Sequence, residues 1–327
     1  MNTKQINEQA SPAGALSDSR QTAGSSGSKA LIGVVGLGNM GNALAATLLS
    51  NGHAVVAYDR NPQRVEALRV EGAQGTSRIT DLSHCNMVIS SLPDDAALES
   101  VMLSLPGGLI DILKPGALHI SMSTVSAELS RRLEKRHTDA AQSFIAAPVL
   151  GNPDLAKTQR IFILAAGSAA DMRRARPLLE QLGQHIFELG EDPGAANVMK
   201  LACNVMTATT MQSMGEVLTL LTKAGIDPHL AFEVFTGSLF DGRVHKAYGG
   251  KIVDRRFKPA GMTAPLAVKD LRLALSEAER QVVPMPMASL VHERLVALVA
   301  AGWGDLDWSA LGALAARDAG LDGAVSA

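Results

Sequence analysis

The stretch LIGVVGLGNMG, from Leu31 to Gly41, decides the fold. Five apolar or small residues, typical of a buried strand, lead into the pattern G-x-G-x-x-G at Gly36, Gly38 and Gly41. The next residues, NALAATLLSNG, have the apolar spacing of a helix, which Gly52 closes as a C-terminal cap. The stretch therefore predicts a strand, a tight glycine turn and a helix in direct succession.

The same alternation of short apolar runs and helical patterns continues to about residue 190. We predict further strands at HAVVAYDR, NMVISSLP, ALHISM, SFIAAPV and RIFILAAG, and helices at PQRVEALRVEGA and AELSRRLEKRHT. Strands that alternate with helices in this way are typical of a doubly wound parallel sheet. The first half of the chain is therefore predicted to be an α/β Rossmann-type domain.

After FELGEDPG, near residue 193, the predicted strands stop. Helical patterns follow at residues 195–223, 229–236, 264–279 and 286–300, and in the segment WSALGALAARDAG. We therefore expect a Rossmann-type domain over residues 30–192 and an all-α domain over residues 193–327, which binds substrate and forms a dimer interface. Residues 1–29 are rich in Ser, Ala, Gly and Gln and lack an apolar core, so we predict a disordered leader and no secretion signal.

Composition limits the class of protein. The chain has 327 residues, 46% hydrophobic and 19% charged, with a net charge of -2, which is typical of a globular protein and gives no indication of a nucleic-acid partner. Cys85 and Cys203 do not indicate a disulfide framework, and no His, Cys, Asp or Glu spacing indicates a metal. With two isolated cysteines, we predict a reducing, cytoplasmic location. The apolar run of residues 195–215 carries several polar side chains, so we predict a buried helix there and no interaction with a membrane.

The glycine loop indicates a dinucleotide site. Gly36 permits the tight turn, Gly38 lets the backbone approach a pyrophosphate, and Gly41 lets the helix pack closely on the strand. The amides at the start of that helix face the phosphate charge. We therefore predict that the loop binds NAD or NADP through all six of its residues: Gly36, Leu37, Gly38, Asn39, Met40 and Gly41.

Two residues at the end of the second predicted strand bear on the choice of cofactor. Asp59, about 20 residues beyond the loop, is placed to accept hydrogen bonds from the adenosine ribose, as in NAD sites. The adjacent Arg60 favours adenine stacking or a 2′-phosphate. These indications conflict, so NAD and NADP both stay open.

A single charge stands out in the second half of the chain. Lys200 is the only charged side chain from Ala195 to Gly215, whereas a helix on a water-facing surface normally carries charges on one flank. A buried ammonium is costly unless it is paired or deprotonated. The pattern therefore indicates a chemical role for Lys200.

The chain resembles the β-hydroxyacid dehydrogenase family over about residues 30–320. That family includes 3-hydroxyisobutyrate dehydrogenase and tartronate semialdehyde reductase and is related to 6-phosphogluconate dehydrogenase. The segments that carry the resemblance are the glycine loop, YDRNP at 58–62, SLP at 91–93, Ser123-Thr124, the APV-x-G segment and the pattern G-x-x-N-x-x-K-x-x-x-N at 194–204. The last is the most specific, because its spacing and the long helix that follows match together.

The resemblance implies roles for particular residues. Lys200 corresponds to the general acid/base, and Asn204, one helical turn on, to the amide that holds the substrate oxygen or orients the lysine. Ser123 corresponds to a hydroxyl beside the substrate. The cofactor-binding positions implied beyond the glycine loop are Leu92, Pro93, Thr124 and Lys269.

One segment departs from the family pattern. Members that oxidise hydroxyacids read Asp-Ala-Pro-Val-Ser-Gly-Gly, whereas this chain reads AAPVLGN at 146–152. Leu150 replaces the serine and has no side-chain donor, so Gly151 and Asn152 remain as the residues expected to bind the substrate carboxylate. The pocket is predicted to be more apolar than in those members.

The sequence thus predicts an NAD(P)-dependent oxidoreductase that moves hydride to or from a small 3-hydroxyacid or its semialdehyde. The alternative is an imine reductase-like enzyme that reduces C=N bonds with NADPH, although those enzymes generally carry Asp or Tyr where this chain has Lys200. A cofactor-bound protein without catalysis is a third possibility, which the retained lysine disfavours. The apolar helices of the second half predict a homodimer or homotetramer.

Overall fold

A computed structural model describes residues 31–104 and 107–321. The predicted leader, residues 1–29, lies outside the described residues. The strands of the described part are β1 (Leu31–Val35), β2 (Ala54–Tyr58), β3 (Gln74–Thr76), β4 (Met87–Ser90), β5 (Leu118–Ser121), β6 (Ser143–Ala146), β7 (Val149–Leu150), β8 (Ile161–Ala165) and β9 (Gly183–Glu188). They form two sheets.

The larger sheet confirms the predicted Rossmann-type fold. Its strand order is β3-β2-β1-β4-β5-β6, and every neighbouring pair is parallel. The helices of this half are α1 (Asn39–Ser50), α2 (Pro62–Val70), α3 (Asp95–Leu103), α4 (Leu109–Ile112), α5 (Ala127–Asp139), α6 (Pro153–Lys157) and α7 (Ala169–Leu179). Strand order reverses between β1 and β4, and ligands bind such sheets beyond the carboxyl ends of the strands at that point.

The smaller sheet corrects one prediction. RIFILAAG is indeed a strand, β8, but it does not extend the parallel sheet. It lies between β7, which is antiparallel to it, and β9, which is parallel to it. β7 and β9 were not predicted as separate strands: β7 has two residues, and most side chains of β9 are exposed.

From Pro193 onward the described chain is almost entirely helical, as the sequence predicted, and the first of these helices begins two residues before the predicted start at residue 195. The helices are α8 (Pro193–Lys223), α9 (Pro228–Thr236), α10 (Arg243–Val253), α11 (Ala264–Arg280), α12 (Pro286–Leu298) and α13 (Leu311–Asp318). Asp192 caps α8 by accepting a hydrogen bond of 2.9 Å from the amide of Gly194, and Arg131 holds the same carboxylate. The division into two domains at residue 193 stays a prediction.

Close packing fixes α8 in the second half of the molecule. Leu201, Val205, Ala208 and Met211 of this helix are buried in one hydrophobic core with residues of α11, α12 and α13. Because α8 runs from the carboxyl edge of the Rossmann-type sheet into this core, its first turns lie between the two halves. Within residues 31–104 and 107–321, no helix combines the length and apolar character needed to cross a membrane.

Candidate active site

The three glycines of the loop differ in what surrounds them. Gly36 has φ +86°, and a Cβ there would lie 2.4 Å from the carbonyl oxygen of Ser91. A Cβ on Gly41 would lie 1.8 Å from the carbonyl oxygen of Gly36. Gly38 has no atom within 4 Å of its Cβ position, so open space lies in front of it. Gly36 and Gly41 are thus required by packing, whereas Gly38 leaves room for a ligand.

That open space belongs to a cavity of about 800 Å³, within the range of cofactor and ligand sites. One wall is the glycine loop, α1 and the start of α2, and the other is α10 with the chain that follows it. Of the predicted site residues, the cavity brings together Leu37, Gly38, Asn39 and Asn152. Met40 instead packs against the core of the Rossmann-type half.

Asp59 fastens the glycine loop to the end of β2. It is 8% exposed, and its Oδ2 atom accepts a hydrogen bond of 2.7 Å from the amide of Leu37. Its Oδ1 atom accepts one of 2.7 Å from the amide of Asn61. Arg64, on the first turn of α2, lies 3.6 Å from the same carboxylate and lines the cavity. Arg60 is exposed and is not among the lining residues.

The loops after β4 and β5 lie side by side at the carboxyl edge of the sheet. Ser123, 2% exposed, accepts a hydrogen bond of 2.9 Å from the amide of Leu92 through its Oγ atom. Lys269 of α11 reaches both loops, donating to the carbonyl oxygens of Pro93 at 2.8 Å and Thr124 at 2.5 Å. The structure thus brings together Leu92, Pro93, Ser123, Thr124 and Lys269.

Lys200 and Asn204 are in contact, as their spacing on one helix predicts. The amine of Lys200 donates a hydrogen bond of 3.2 Å to the side-chain oxygen of Asn204. Asn204, 5% exposed, donates in turn to Asp270 at 2.6 Å, and the second oxygen of Asp270 lies 2.8 Å from the amine of Lys269 in an ion pair. A continuous polar chain therefore joins Lys200 to Lys269.

Burial lowers the pKa of Lys200 below that of an ordinary lysine. The carboxylate of Asp270 opposes this change, and the positive charge of Lys269 reinforces it. As a residue Lys200 is half-buried rather than fully enclosed. Its amine has therefore lost hydration although part of the residue reaches the surface, and Lys200 is not among the residues that line the cavity beside the glycine loop.

The AAPVLGN segment lies beside the cavity. Gly151 has φ +144°, where a side chain would be strained, and a Cβ would lie 2.8 Å from Ile161. The side-chain oxygen of Asn152 accepts a hydrogen bond of 2.9 Å from the amide of Leu155 and so caps α6. The side-chain NH2 group of Asn152 remains free to donate a hydrogen bond to a ligand. Asn152 lines the same cavity as Leu37, Gly38 and Asn39 of the glycine loop.

Sequence reasoning missed three residues of this region. Asp270 follows the predicted Lys269, and its place on the buried face of an amphipathic helix, beside Ala267 and Leu271, was the available signal. Asn197, fully buried, accepts from the amide of Val125 at 3.1 Å and so ties α8 to the loop after Thr124. Arg64 is the third.

A parallel sheet of this order with an open glycine loop is typical of a dinucleotide-binding domain. Comparisons with known proteins agree. The family model described as the NAD binding domain of 6-phosphogluconate dehydrogenase matches residues 31–190, and the one described as NAD-binding of NADP-dependent 3-hydroxyisobutyrate dehydrogenase matches residues 194–315.

Individual relatives and solved structures give the same result. An uncharacterized oxidoreductase of Bacillus subtilis is 37% identical over 86% of this chain and 98% of its own, and 3-hydroxyisobutyrate dehydrogenase of Pseudomonas aeruginosa is 32% identical over 80% and 89%. The structure of 3-hydroxyisobutyrate dehydrogenase from Salmonella typhimurium has TM-score 0.79 and 25% identity, covering 88% of this chain and 100% of that one. An imine reductase from Pseudomonas sp. has TM-score 0.60 and 25% identity, covering 88% and 99%.

The chain belongs to the β-hydroxyacid dehydrogenase family, whose members include 3-hydroxyisobutyrate dehydrogenase and tartronate semialdehyde reductase. It is an NAD(P)-dependent dehydrogenase of the class that acts on CH–OH groups. The predictions of family, enzyme class and cofactor type are confirmed.

Proposed function

We propose that this enzyme transfers hydride between NAD(P) and a small 3-hydroxyacid or its semialdehyde, with Lys200 as the general acid/base. The observation that carries the proposal is the polar chain from Lys200 through Asn204 and Asp270 to Lys269. It links the one lysine in the apolar part of α8 to the loops at the carboxyl edge of the sheet.

The open approach to Gly38 fits a pyrophosphate, because that glycine alone of the three has empty space at its Cβ position. Leu37 and Asn39 line the same cavity, while Gly36, Met40 and Gly41 fix the shape of the loop. Leu92, Pro93 and Thr124 lie on the loops that flank the sheet edge, held by Lys269. When bound, the nicotinamide ring supplies or accepts the hydride.

Lys200 would move the proton that accompanies this hydride. Reduction of a carbonyl requires an acid that protonates the developing alkoxide, and oxidation of an alcohol requires a base that removes the hydroxyl proton. An amine whose pKa burial has lowered exchanges a proton more readily near neutral pH than an ordinary lysine does. General acid/base catalysis of this kind contributes roughly 10²–10⁴-fold to a rate.

Asn204 would keep the amine of Lys200 positioned next to the substrate oxygen. Its side-chain oxygen accepts from Lys200, so the orientation of the amide is fixed with its NH2 toward Asp270. Asp270 is 3% exposed and cannot turn toward bulk water without breaking the contacts to Asn204 and Lys269. Asp270 is therefore a positioning residue, acting through Asn204.

The substrate carboxylate is proposed to lie near Ser123, Gly151 and the NH2 group of Asn152. Leu150 offers no hydrogen bond there, which favours a substrate with an apolar substituent over a strongly polar one. The structural likeness to 3-hydroxyisobutyrate dehydrogenase, at TM-score 0.79 against 0.60 for the imine reductase, supports the hydroxyacid assignment over C=N reduction.

A reduction screen tests the assignment. The purified protein is assayed for loss of cofactor absorbance with small semialdehyde acids, the matching aldehydes without a carboxylate, and cyclic imines, under both NADH and NADPH. We expect kcat/KM to be highest for the aldehyde acids. A higher kcat/KM for the imines would refute the proposal in favour of imine reduction, and turnover of no compound would refute catalysis of this class.

Assembly into a homodimer or homotetramer in the cytoplasm is also proposed. Large apolar side chains of α8, α9 and α12 stand in water in the isolated chain, among them Met206 at 69%, Leu220 at 66% and Met287 at 61% exposure. Surfaces of this kind commonly mark interfaces between subunits. Light scattering during size-exclusion chromatography measures the mass directly, and a monomer would contradict the proposal.

A further inference from the structure

We propose that Arg243, the first residue of α10, binds the carboxylate of the substrate and makes the enzyme select acids over neutral alcohols and aldehydes. The inference rests on the proposed function, because it takes the substrate to be a hydroxyacid or semialdehyde bound beside the AAPVLGN segment. It goes beyond that function by bringing a cation from the second half of the chain to a segment that supplies only neutral groups.

The groups so far placed near the substrate carboxylate are all uncharged. Ser123 offers a hydroxyl, Gly151 a backbone amide and Asn152 a side-chain NH2 group, while Leu150 has no hydrogen-bonding side chain. An anion that leaves water is costly unless an opposite charge or several hydrogen bonds compensate it. The segment alone therefore gives a carboxylate no charge partner.

The two lysines of the polar chain are engaged elsewhere. Lys269 lies 2.8 Å from a carboxylate oxygen of Asp270 and also donates to the loops after β4 and β5. The amine of Lys200 donates to Asn204 and is proposed to act at the hydroxyl oxygen of the substrate, not at its carboxylate. A carboxylate beside the AAPVLGN segment therefore requires a further cation.

Strand pairing in the small sheet places an aromatic ring beside that segment. Leu150 of β7 and Phe162 of β8 are direct partners in an antiparallel pair, so their side chains lie on the same face of the sheet. The opposite face of β8 is buried in the core of the Rossmann-type half through Ile161 and Ile163. Leu150 and Phe162 are both half-buried, and β8 also contacts α8, the helix that carries Lys200. They form an apolar surface at the substrate segment.

Helix α10 brings a guanidinium to this apolar surface. The Cζ atom of Arg243 lies 5.2 Å from the centroid of the Phe162 ring, within the range of a cation–π contact. Arg243, Ala247 and Lys251 are spaced four residues apart and so share one face of α10. Ala247 and Lys251 line the cavity together with Asn152. Arg243 lies outside this lining and extends the same helix face by one turn, toward the strands that carry Leu150 and Phe162.

Arg243 differs from the two lysines of α10 in having no carboxylate partner. Lys246 and Lys251 both pair with aspartates. In the part of the chain that the structure describes, the guanidinium of Arg243 has no ion pair and no hydrogen bond, and it lies over the Phe162 ring instead. A guanidinium binds a carboxylate through two parallel hydrogen bonds, and contact with a ring face leaves its N–H groups available for them.

Ligand binding to the cofactor-loaded enzyme tests the proposal without turnover. The ligands are 2-methylpropanoate, a small branched acid without a hydroxyl group, and its neutral amide. Their dissociation constants are measured from the fluorescence of the bound reduced cofactor in the unaltered enzyme, Arg243→Gln, Arg243→Lys and Lys246→Gln. Lys246 is the matched control, because it is an exposed cation of the same helix that pairs with Asp241.

The acid should bind more tightly than the amide to the unaltered enzyme. Arg243→Gln should weaken binding of the acid roughly 10–100-fold, as expected for the loss of hydrogen bonds between charged groups, and change binding of the amide less than about threefold. Arg243→Lys should keep part of the preference for the acid, because the charge remains. Lys246→Gln should change neither constant, and all variants should bind the reduced cofactor as the unaltered enzyme does.

The aromatic ring is tested in the same assay. Phe162→Leu removes the surface on which the guanidinium lies, so binding of the acid should weaken in the same direction but less than in Arg243→Gln. Phe187→Leu is its control, because that ring lies 6.1 Å from the ring of Phe162 on the neighbouring strand and is 43% exposed. Equal losses in the two phenylalanine variants would overturn the role of the Phe162 ring.

Equal constants for acid and amide in the unaltered enzyme would overturn the inference, as would an unchanged constant for the acid in Arg243→Gln. An equal loss in Lys246→Gln would replace the assignment by a general effect of surface charge. All of these outcomes are read from binding. The role of Lys200 and the choice between carbonyl and C=N reduction are read from turnover, so failure of the inference is distinguishable from failure of the proposed function.

Discussion

Replacing Gly38 by Ala separates a cofactor loop from an ordinary glycine turn. The new methyl group would meet no protein atom within 4 Å, and the backbone at this residue, φ -64° and ψ -176°, suits any residue. The free protein should therefore keep its stability within about 0.5 kcal/mol. The methyl group would occupy the space through which a pyrophosphate approaches the loop amides.

The expected loss of affinity follows from those amides. A hydrogen bond to a charged group contributes about 1.5–3 kcal/mol, so one bond lost to phosphate weakens cofactor binding roughly tenfold to a hundredfold. In a thermal shift assay, a cofactor concentration of 100 times the dissociation constant stabilises the unaltered protein by about 2.7 kcal/mol. If the dissociation constant of the variant is a hundredfold larger, the same cofactor concentration stabilises the variant by only about 0.4 kcal/mol.

Gly41→Ala serves as the contrasting variant. Its Cβ would lie 1.8 Å from the carbonyl oxygen of Gly36, so α1 must shift and the free protein should lose stability as well as affinity. Thermal shift and fluorescence titration of both variants give the comparison. Unaltered cofactor affinity in Gly38→Ala would refute the assignment of this loop to the pyrophosphate.

Two further predictions concern titrating groups. Asp270→Asn removes a charge that raises the pKa of Lys200, so the part of the pH profile of kcat/KM that reports Lys200 should move to lower pH. Lys269→Gln removes a charge that lowers this pKa, so the same part of the profile should move to higher pH. Asp139→Asn is the surface control, and equal or absent shifts in the two test variants would contradict the polar chain. His119 and His137 are both buried, and Nδ1 of His119 lies 2.9 Å from Nε2 of His137. Burial lowers the pKa of both side chains, and that of His137 falls from 6.5 to about 4. Below pH 6.5 the unfolded chain therefore binds more protons than the folded protein, so the free energy of unfolding should fall as the pH falls toward 4, by about 2–3 kcal/mol for His137 alone. Urea unfolding measures this free energy, and equal values at pH 7 and 4.5 would contradict the prediction.

The Rossmann-type half was predictable because its strands are buried on both faces. Such strands appear as continuous apolar runs, as in LIGVV and MVIS, and turn residues separate them from the helices. The partner of a strand is not contained in its own pattern, which is why β8 was assigned to the wrong sheet. α10 was missed because Arg243–Val253 carries three cations and two adjacent glycines, which obscure helical periodicity.

In the candidate active site, too, local contacts could be predicted from the sequence and long-range contacts could not. Contacts between residues near in sequence were predictable: Lys200 and Asn204 are four apart on one helix, and the structure places them 3.2 Å apart. Asp270 lies 66 residues beyond Asn204, and nothing in the local pattern joins them. Long-range contacts of this kind arise from helix packing, so only the three-dimensional arrangement reveals them.

The central claim is that the amine of Lys200 moves the proton during hydride transfer. The most direct test measures single-turnover hydride transfer and the cofactor dissociation constant in Lys200→Ala, with Lys223→Ala, in the exposed last turn of the same helix, as the control. We expect Lys200→Ala to slow transfer by about 10²–10⁴-fold with cofactor affinity unchanged, and Lys223→Ala to match the unaltered protein. Transfer in Lys200→Ala at the rate of the unaltered protein would contradict the claim.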